Sequence, residues 1–442
     1  MRSLIAYIDQ RRIGELIEGD DIWRFVYDPD WAVADDAFDL APGLPRSQRE
    51  HIDGSTNRPV QWYFDNLLPE ELLRKAISKE ANIKGEDAFA LLEYLGAESA
   101  GSLTLLPPKQ AVPSNWELRE LVDSELSKRI SALPVQTLAA HAPKRMSLAG
   151  AQHKLLVVLE NGVLYEPVGA TPSTHILKPN HQLGTDYPAS VMNEYVTMRL
   201  AAAAGLEVPN VYVRYIPDPI YMIERFDRVR HHAATGQAPT APPVERLHII
   251  DACQLLGRAR TFKYSGASLD ALKTVIDAST NKAHTRQALY RWLVFNVLVG
   301  NDDAHLKNLS FFVSREGIRL APHYDLLMTS AYRTNAIVND AGTWPHVEMA
   351  IPLPGAKYLN EVTSTCLLNA GAELGVPAGV AKRMLAQIVE RVNAALQVEA
   401  GEVAKRHEAL PQNARACVPG EQRLMRVMEN IIVREMTQKM TA

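Results

Sequence analysis

A polar loop runs Gly300-Asn301-Asp302-Asp303-Ala304-His305-Leu306-Lys307-Asn308, and two short β-like runs follow it before the chain reaches Tyr324-Asp325. The runs 309–313 and 318–320 flank a turn, and this pattern predicts a β-hairpin. Because a hairpin brings its two ends together, Asn308 and Asp325 are expected to lie side by side. Their oxygen atoms are hard ligands that suit Mg²⁺ with a bridging phosphate.

The spacing inside the loop indicates which kind of chemistry these oxygen ligands support. In protein kinases the catalytic loop places a base Asp five residues before a metal-binding Asn, and a hairpin then leads to a second metal-binding Asp. Asp303 and Asn308 have that spacing, whereas Asp302 and Asn308 do not. The alternative for this stretch alone is a solvated turn with a side-chain cap, since Asp, His and Asn are common loop residues.

Composition predicts a globular protein with a sizeable core. The chain has 442 residues, 47% of them hydrophobic, a net charge of −4 and a pI near 6.4. These values favour two or three packed units and argue against a generally basic nucleic-acid binder. Its three cysteines show no metal-ligand spacing, which fits a reducing compartment. Signal-peptide features and long apolar runs are missing from the sequence, so we expect a cytoplasmic protein with no membrane partner.

The first part of the chain is expected to hold a small β-meander followed by helices. Expected strands cover residues 4–8, 13–17, 22–27 and 102–106. Helices are expected from Pro69 in the first turn onward, over 88–95 and over 117–131. The proline-rich segment 107–116 is the best linker candidate, which places a boundary near residue 110.

Small residues precede the next predicted hairpin. The segment 146–154 ends in Ala149-Gly150-Ala151-Gln152-His153-Lys154, and a strand over 155–159 leads to the turn Asn161-Gly162. Small side chains let backbone N–H groups approach phosphate oxygens, and Lys154 adds positive charge. The alternative is a plain tight turn. The segment is not a Walker A loop, because it lacks the Gly-Lys-Ser/Thr ending.

A lysine and a glutamate follow in the order that kinases use. Lys178 ends a β-like run, and Glu194 stands on a helix predicted over 190–204, so the two could pair as a kinase strand lysine pairs with its helix glutamate. An exposed salt bridge is the alternative. Another hairpin over 211–226 leads to a polar stretch, 227–244, where a kinase hinge would offer backbone groups to adenine.

The rest of the chain is predicted to be mostly helical. The expected helices cover 247–256, 268–278, 283–299, 362–375, 378–399 and 421–439. The whole order, from small-residue loop to metal-binding aspartate, is that of a bilobal kinase. We therefore predict an α+β fold with a β-rich N-terminal subdomain (1–110), a nucleotide-binding region (111–230) and a helical lobe with the catalytic loop (231–442).

The sequence resembles the HipA family of serine/threonine kinase toxins nearly from end to end. The matching text comprises Phe64-Asp65-Asn66-Leu67-Leu68-Pro69, Ser147-Leu148-Ala149-Gly150-Ala151-Gln152-His153-Lys154, Thr174-His175-Ile176-Leu177-Lys178, Glu224-Arg225-Phe226-Asp227-Arg228, Asp251-Ala252-Cys253-Gln254, Asp303-Ala304-His305-Leu306-Lys307-Asn308 and Tyr324-Asp325. Two departures are His153, where an acidic residue is expected, and Ala304, where glycine is common.

The resemblance implies a role for each matching position. Asp303 would be the base, Asn308 and Asp325 would hold Mg²⁺, and Lys178 would reach the phosphates of ATP. The remaining nucleotide contacts would come from the loop Ala149, Gly150, Ala151, Gln152, His153 and Lys154, from Glu224, Arg225 and Phe226 at adenine, and from His305, Lys307 and Tyr324 around the catalytic loop.

The resemblance also implies partners and regulation. Ser147 would be autophosphorylated, a HipB-type antitoxin dimer would bind the chain, and operator DNA would be held mainly through that antitoxin. An aminoacyl-tRNA synthetase, such as glutamyl-tRNA synthetase, would be the substrate, and its phosphorylation would inhibit translation and cause growth arrest and persistence. The acceptor surface carries no readable code for that substrate.

Two rival functions stay open at this point. In the first, Asp302, Asp303, His305, His323 and Asp325 are ligands of a metal-dependent phosphoesterase. In the second, the chain is a non-catalytic co-repressor subunit whose kinase-like lobe only docks an antitoxin on DNA. The intact set of Asp303, Asn308 and Asp325 argues against the second rival.

Overall fold

The computed structural model describes residues 1–230 and 244–442, so most of the predicted polar stretch after the hinge lies outside the described residues. The chain divides into two compact units, and each is built from three segments. Unit 1 consists of Met1–Leu177, Glu224–Phe262 and Ser310–Ala321. Unit 2 consists of Lys178–Ile223, Lys263–Leu309 and Pro322–Ala442. The three consecutive regions expected from the sequence stay a prediction.

Unit 1 is rich in strands. Its strands are Arg2–Ile8, Arg11–Gly19, Ile22–Tyr27, Glu50–Ile52, Leu103–Leu106, Trp116–Glu120, Leu155–Glu160, Val163–Gly169, His175–Pro179, Arg228–Arg230, Val244–Arg246, Ile249–Asp251, Ser310–Ser314 and Gly317–Leu320; the division between the units falls inside His175–Pro179. Its α-helices are Pro29–Val33, Pro59–Asp65, Glu71–Ala81, Ala88–Leu95, Asp123–Ser131 and Ala252–Leu255, and Arg260–Phe262 is a 3₁₀ turn.

The N-terminal part of unit 1 is the predicted meander. Four antiparallel strands lie side by side in the order Glu50–Ile52, Ile22–Tyr27, Arg11–Gly19 and Arg2–Ile8. A fifth strand, Leu103–Leu106, pairs with the other edge of Arg2–Ile8. Alternate residues of these strands point inward, as the buried and half-buried pattern of Ile22–Tyr27 shows. Pro69 precedes the helix Glu71–Ala81 rather than lying inside its first turn, because Glu70 is the residue in extended conformation before the helix.

A second sheet in unit 1 corrects one predicted helix. Residues 117–131 were expected to form one helix, but Trp116–Glu120 is a strand paired with Tyr165 to Gly169, and the helix is only Asp123–Ser131. Pairing with a neighbouring strand outweighs local helix preference here. The predicted turn is confirmed: Asn161 and Gly162 both have positive φ, at 51° and 81°, as a type I′ turn requires.

The hairpin downstream of the polar loop forms as predicted. Ser310–Ser314 pairs with Gly317–Leu320, and Phe311 faces Leu320 across the ladder. The helix expected over 247–256 is wrong in its first part, because Ile249–Asp251 is a strand that pairs with Ser310–Ser314. Only the short helix Ala252–Leu255 follows it, and a capping box between Asp251 and Gln254 starts that helix.

Unit 2 is mostly helical. Its α-helices are Ser190–Ala203, Leu269–Ala278, Lys282–Leu298, Asn335–Val338, Ser364–Glu373, Ala378–Ala409, Val418–Val427 and Arg434–Thr441; Met428–Val433 is a π-helix. Its 3₁₀ turns are Leu306–Asn308, Thr329–Arg333, Asn339–Ala341, Leu359–Glu361 and Gln412–Cys417. Its strands are Val211–Tyr215 with Pro219–Glu224, where the division between the units falls before Glu224, and Glu348–Leu353 with Ala356–Tyr358.

The helix Lys282–Leu298 forms the centre of unit 2. Leu289, Trp292, Phe295 and Leu298 are fully buried on it, so this helix contributes large apolar side chains to the core. Ala378–Ala409 extends about three turns beyond the predicted end at residue 399, since no proline intervenes. Within the described ranges, no helix has a stretch long and apolar enough to cross a membrane.

Candidate active site

The catalytic-loop candidate lies in unit 2, directly after the central helix. Gly300 adopts a left-handed conformation with φ of 59°, which ends the helix and turns the chain. The Asn301 side chain then holds the loop: its amide nitrogen donates to the Asn296 side-chain oxygen at 2.7 Å, and its amide oxygen accepts from the Asp303 N–H at 3.1 Å. Thus one buried side chain fixes the direction in which Asp303 leaves the helix.

The two adjacent acids of the loop have different surroundings. The Asp302 N–H donates to the Thr329 hydroxyl at 2.8 Å, and the Asp302 carboxylate lies 3.6 Å from the Arg333 guanidinium. Asp303 instead accepts a hydrogen bond from the Tyr264 hydroxyl on its Oδ1 atom. Asp302 is therefore engaged with the segment 329–333, and Asp303 is the acid that faces Tyr264.

The Asp303 carboxyl has an unusual pKa. Burial raises this pKa to about 6, and repulsion from Asp325 and Asp302 adds to the rise, while the Tyr264 hydroxyl and Lys263 oppose it. A carboxylate with a raised pKa is a stronger proton acceptor, and it is still mostly ionised at neutral pH. These properties suit a general base.

The predicted metal ligands are brought to the same region. The Asn308 side-chain nitrogen donates to the Asp303 carbonyl at 2.8 Å, so its amide oxygen is the atom left to meet a cation. The Tyr324 hydroxyl donates to the Lys307 carbonyl at 2.8 Å. This bond joins the residue before Asn308 to the residue before Asp325, and it therefore brings the two ends of the hairpin together.

Asp325 combines a charged ligand with a rare backbone conformation. Its φ is 56°, in the left-handed region that non-glycine residues seldom adopt. Such conformations cluster at functional sites, where the surrounding structure maintains them. An amide oxygen from Asn308 and a carboxylate from Asp325 form a hard donor set that fits Mg²⁺. Among the residues that the structure describes, no three His, Cys, Asp or Glu side chains converge as a metal cluster.

Lys178 makes the predicted pair with Glu194 and a second pair with Asp325. Its ammonium lies 2.8 Å and 3.1 Å from the two carboxylate oxygens of Glu194 and 2.7 Å from Oδ1 of Asp325. Burial alone would lower the pKa of Lys178, but the two carboxylates outweigh it, so that pKa stands above its usual value. Lys178 therefore stays charged, as a group that contacts phosphates must.

The helix that carries Glu194 is itself anchored. Asn193 is fully buried, and its side chain exchanges two hydrogen bonds with the backbone of Met328, at 3.1 Å and 2.8 Å. These bonds link Ser190–Ala203 to the segment that follows Asp325. Consequently the lysine, the glutamate and the aspartate are held by one connected set of contacts, in which the Lys178–Glu194 pair is buried and the Lys178–Asp325 pair is partly buried.

The small-residue loop lies in unit 1. Gly150 has a φ of 105°, its carbonyl accepts from the Glu70 N–H at 3.1 Å, and a side chain there would collide with the Lys154 ammonium. That ammonium donates to the Ala149 carbonyl. The loop therefore closes on itself through Lys154. Ala149, Ala151 and Gln152 are half-buried beside it, whereas His153 is buried.

Ser147 is buried in this structure. Only 1% of its surface is exposed, its hydroxyl donates to the Leu67 carbonyl at 2.6 Å, and its N–H donates to the Glu98 carbonyl at 2.7 Å. A hydroxyl in this position cannot receive a phosphate. Modification of Ser147 therefore requires the segment to leave Leu67 and Glu98 first.

A buried ion cluster lies directly beneath Ser147. The Glu98 carboxylate is fully buried, with the Lys144 ammonium at 2.9 Å and the guanidinium groups of Arg228 and Arg225 at 3.1 Å and 3.3 Å. Burial would raise the pKa of Glu98, but these three cations lower it well below its usual range. Asp227 also pairs with both arginines. The cluster thus holds several charges in the interior of unit 1.

One of the predicted nucleotide-binding side chains, that of Arg225, belongs to this buried cluster. The Arg225 guanidinium is bound to Asp227 and Glu98, and the Arg225 N–H donates to the Thr174 carbonyl at 2.9 Å. Glu224 is half-buried, and the half-buried Phe226 ring meets Phe312 edge-on at 5.9 Å. Of the three adenine candidates, Glu224 and Phe226 thus keep side chains outside the cluster.

His305 and Lys307 are buried in the catalytic loop, and His305 Nε2 lies 3.9 Å from the Asp303 carboxylate.

His323 lies elsewhere in unit 2: it stacks on Trp292 at 6.3 Å, and burial lowers its pKa to about 3. A neutral histidine stacked in the helical core does not join Asp302 and Asp303 as a metal ligand. The ligand set expected of a phosphoesterase is therefore not assembled within the described residues.

Sequence reasoning missed the side chains that hold the site residues in place. Tyr264, Thr329 and Arg333 contact the two acids of the loop from segments distant in the sequence. Glu98 and Lys144, which are also distant in the sequence, pair with each other next to Ser147. None of these pairs has a fixed spacing or a motif, so only the folded chain reveals them.

Family models match most of the chain. Residues 4–106 match the HipA N-terminal domain, and residues 146–396 match the HipA-like C-terminal domain. The chain belongs to the HipA family. The predicted resemblance is confirmed, and the chain is a serine/threonine kinase of that family.

Relatives and a solved structure agree with this assignment. A putative kinase, Y4mE of Sinorhizobium fredii, is 34% identical over 345 residues, covering 75% of this chain and 78% of the relative. The serine/threonine-protein kinase toxin HipA of Shewanella oneidensis is 29% identical over 347 residues, covering 73% and 75%. A structure of the Shewanella toxin–antitoxin system HipA, HipB and operator DNA matches with a TM-score of 0.75 and 26% identity, covering 98% of this chain and 99% of that chain. The predicted α+β kinase-like fold is thereby confirmed.

Proposed function

We propose that this HipA-family kinase transfers the γ-phosphoryl group of ATP to a serine or threonine of a protein, with Asp303 as the base. The observation that carries the proposal is the set formed in unit 2 by Asp303, Asn308, Asp325 and the Lys178–Glu194 pair. Asp303 takes the proton of the acceptor hydroxyl as the new O–P bond forms and ADP leaves. Its raised pKa supports this role.

The other residues bind and orient the nucleotide. Asn308 and Asp325 would hold Mg²⁺, which neutralises charge on the phosphate oxygens when bound. Lys178, kept in place by Glu194, would contact the phosphates. The loop from Ala149 to Lys154 would cover them. Adenine binding falls to the backbone near Glu224 and to Phe226, since the Arg225 side chain is engaged in the buried cluster.

Incubation with ATP and Mg²⁺ separates this function from its two rivals. Phosphoprotein supports the kinase. Free phosphate without phosphoprotein supports the phosphoesterase, and no turnover at all supports the non-catalytic co-repressor. An Asp303→Gln chain serves as the control in each case, because it lacks the proposed base.

The biological role proposed for the chain is that of a toxin in a toxin–antitoxin module. A HipB-type antitoxin dimer would neutralise it, and phosphorylation of an aminoacyl-tRNA synthetase would inhibit translation and lead to persistence. The Shewanella relative is named a toxin, and the matching structure contains HipB and operator DNA, which supports this assignment. Phosphoproteomics after induction of the chain, compared with Asp303→Gln, would identify the substrate.

DNA contacts are proposed to come mainly from the antitoxin. The net charge of −4 makes tight DNA binding by this chain alone unfavourable, because phosphate neutralisation needs clustered positive charge. We expect the isolated chain to give no sequence-specific gel shift at physiological salt and the antitoxin to restore it. Tight specific binding by the chain alone would contradict this proposal.

Self-inactivation through Ser147 is proposed as well. Phosphorylation adds about −1.5 to −2 charge, and three acceptor oxygens cannot replace a hydroxyl that donates to Leu67. The phosphorylated segment would therefore stay out of its buried position, and Ala149 to Lys154 could not close over ATP. Peptide mapping after ATP treatment should show phosphate on the Ser147 peptide, absent in Asp303→Gln. A phosphorylated form that binds ATP as well as the unmodified chain would exclude self-inactivation.

A further inference from the structure

The Tyr264 side chain contacts the proposed base, Asp303. Its hydroxyl donates to Oδ1 of Asp303. This is the contact that an acceptor serine or threonine must make before it transfers its proton. The lone pair of Oδ1 that accepts from Tyr264 cannot accept from a substrate hydroxyl at the same time.

The position of Tyr264 is fixed by the catalytic loop itself. The carbonyl of the preceding residue, Lys263, accepts from the Leu306 N–H at 3.2 Å, and the Tyr264 carbonyl accepts from the Ala267 N–H at 2.8 Å. The Tyr264 ring meets the His305 ring edge-on at 4.8 Å, and the Lys263 ammonium lies 5.3 Å from its centre. Backbone and ring contacts on both sides thus direct the hydroxyl to Asp303.

Tyr264 is also accessible to a partner. It keeps 45% of its surface exposed, although a tyrosine of a globular protein usually buries most of its ring. Its hydroxyl end is therefore engaged with the base while its ring faces solvent. The exposed ring is therefore part of the surface beside Asp303 that a protein partner can contact.

We propose that Tyr264 is an acceptor gate, whose hydroxyl occupies the place of the substrate hydroxyl at Asp303 until a protein substrate displaces it. The inference rests on the proposed kinase function and adds a residue to it. While the gate is closed, water is kept from the same position. Hydrolysis would otherwise follow the same route: a water oxygen bonds to the γ-phosphorus, the bond to ADP breaks, and the proton passes to Asp303.

An orienting role for Tyr264 predicts a different outcome. If the tyrosine only held Asp303 in a productive rotamer, its removal would lower transfer to every acceptor, water included. If Tyr264 is a gate, its removal raises transfer to water and lowers the half-saturating concentration of a protein acceptor. The two roles therefore differ in the sign of the effect.

The test is the Tyr264→Phe substitution, which keeps the ring and removes the hydroxyl. Phosphate release from ATP is measured without any protein acceptor. Transfer is then measured as a function of the concentration of a synthetic peptide that spans residues 140–154, in which the Ser147 hydroxyl is free of its buried position in the folded chain. Tyr212→Phe is the control, because Tyr212 is also half-exposed in unit 2, at 41%, and lies on the strand Val211–Tyr215.

We expect Tyr264→Phe to raise hydrolysis and to lower the half-saturating acceptor concentration, each roughly tenfold, since a hydrogen bond to a charged group has to be broken before the gate opens. Tyr212→Phe should match the unmodified chain, and Mg²⁺-dependent ATP affinity should be the same in all three. Hydrolysis that falls or stays constant in Tyr264→Phe would overturn the gate. An unmodified chain without any transfer or hydrolysis would overturn the kinase function itself, and the gate with it.

Discussion

Asp302 and Asp303 are chemically identical neighbours that the fold assigns to different tasks. Asp302 is held near Arg333 and Thr329, where its charge is compensated, whereas Asp303 has a raised pKa and faces Tyr264. The kinase motif predicted Asp303 as the base because Asp303 lies five residues before Asn308. The structure adds a geometric reason, since the Asp302 carboxylate lies beside Arg333 whereas the Asp303 carboxylate is the one that meets Tyr264.

The first prediction concerns this pair of acids. Asp303→Gln should reduce phosphoryl transfer by roughly 10²–10⁴-fold, because a positioned base contributes about that much. ATP binding should be largely unchanged, since the base does not hold the nucleotide. Asp302→Asn is the matched control, and it should retain most of the transfer activity in a radiolabel assay. The opposite ranking of the two variants would mean that the loop register is wrong.

The second prediction concerns Asp325. Asp325→Asn removes the charge that pairs with Lys178 and replaces the one carboxylate of the two proposed metal ligands with a neutral amide. We therefore expect both transfer and Mg²⁺-dependent ATP affinity to fall, in contrast to Asp303→Gln. Isothermal titration with ATP, with and without Mg²⁺, measures the difference. An Asp325→Asn chain that binds MgATP as tightly as the unmodified chain would exclude Asp325 as a ligand.

At this scale the sequence predicted residues that belong to a spaced motif and missed those that do not. Asp303, Asn308 and Asp325 have fixed separations because one loop and one hairpin carry them. Tyr264 reaches Asp303 from 39 residues upstream, and Lys144 reaches Glu98 across 46 residues. Contacts of this kind arise from tertiary packing, which leaves no periodic signal in a single sequence.

The loop that holds Ser147 depends on the helix that ends before Glu98. Ala88–Leu95 starts with the Asp87 cap and delivers the chain to Glu98, whose carbonyl and carboxylate both serve the segment 144–147. Removing one partner from a buried ion cluster leaves the remaining charges uncompensated. The anchoring of this loop is therefore coupled to the stability of unit 1.

The third prediction follows from this coupling. Glu98→Gln should lower the free energy of unfolding by about 3–5 kcal/mol, the usual effect of breaking a buried ion pair. Glu93→Gln is the control, because Glu93 is exposed on the same helix Ala88–Leu95. Urea denaturation followed by circular dichroism compares the two. Equal unfolding midpoints for Glu98→Gln and the unmodified chain would show that the cluster is not a stabilising element.

Elements with a strong local signal were predicted well, and elements made by pairing were not. The turn Asn161-Gly162 and the helix Ala88–Leu95 carry their own signals, so their places were confirmed. Residues 117–120 and 249–251 were expected to be helical, and both lie in strands because distant segments supply their hydrogen-bond partners. Partner strands override weak local preference.

At the scale of the whole chain, buried neutral histidines make stability depend on pH. His248 is buried among Tyr63, Ser102 and Leu40, and burial lowers its pKa to about 4 from an ordinary 6.5. Between these two values the unfolded chain binds a proton that the folded chain does not. The free energy of unfolding therefore falls as pH falls through this window.

The fourth prediction states the size of this effect. Between pH 6.5 and pH 5, His248 alone should remove roughly 2 kcal/mol from the free energy of unfolding, at about 1.4 kcal/mol per pH unit. His248→Asn should reduce that pH dependence, and His141→Asn, at an exposed position, should not. Urea titrations at several pH values provide the measurement. A His248→Asn chain with unchanged pH dependence would exclude this residue as the cause.

The interleaving of the two units sets the order in which a newly made chain can fold. The strand Ile249–Asp251 receives its partner Ser310–Ser314 only after the central helix of unit 2 has been synthesised. Pairing across such a long separation is slow, because the closing segment must be ordered before it gains any contact. Neither unit is complete when synthesis has reached only Asp303, so a nascent chain of that length still lacks Asp325 and cannot assemble the proposed active site.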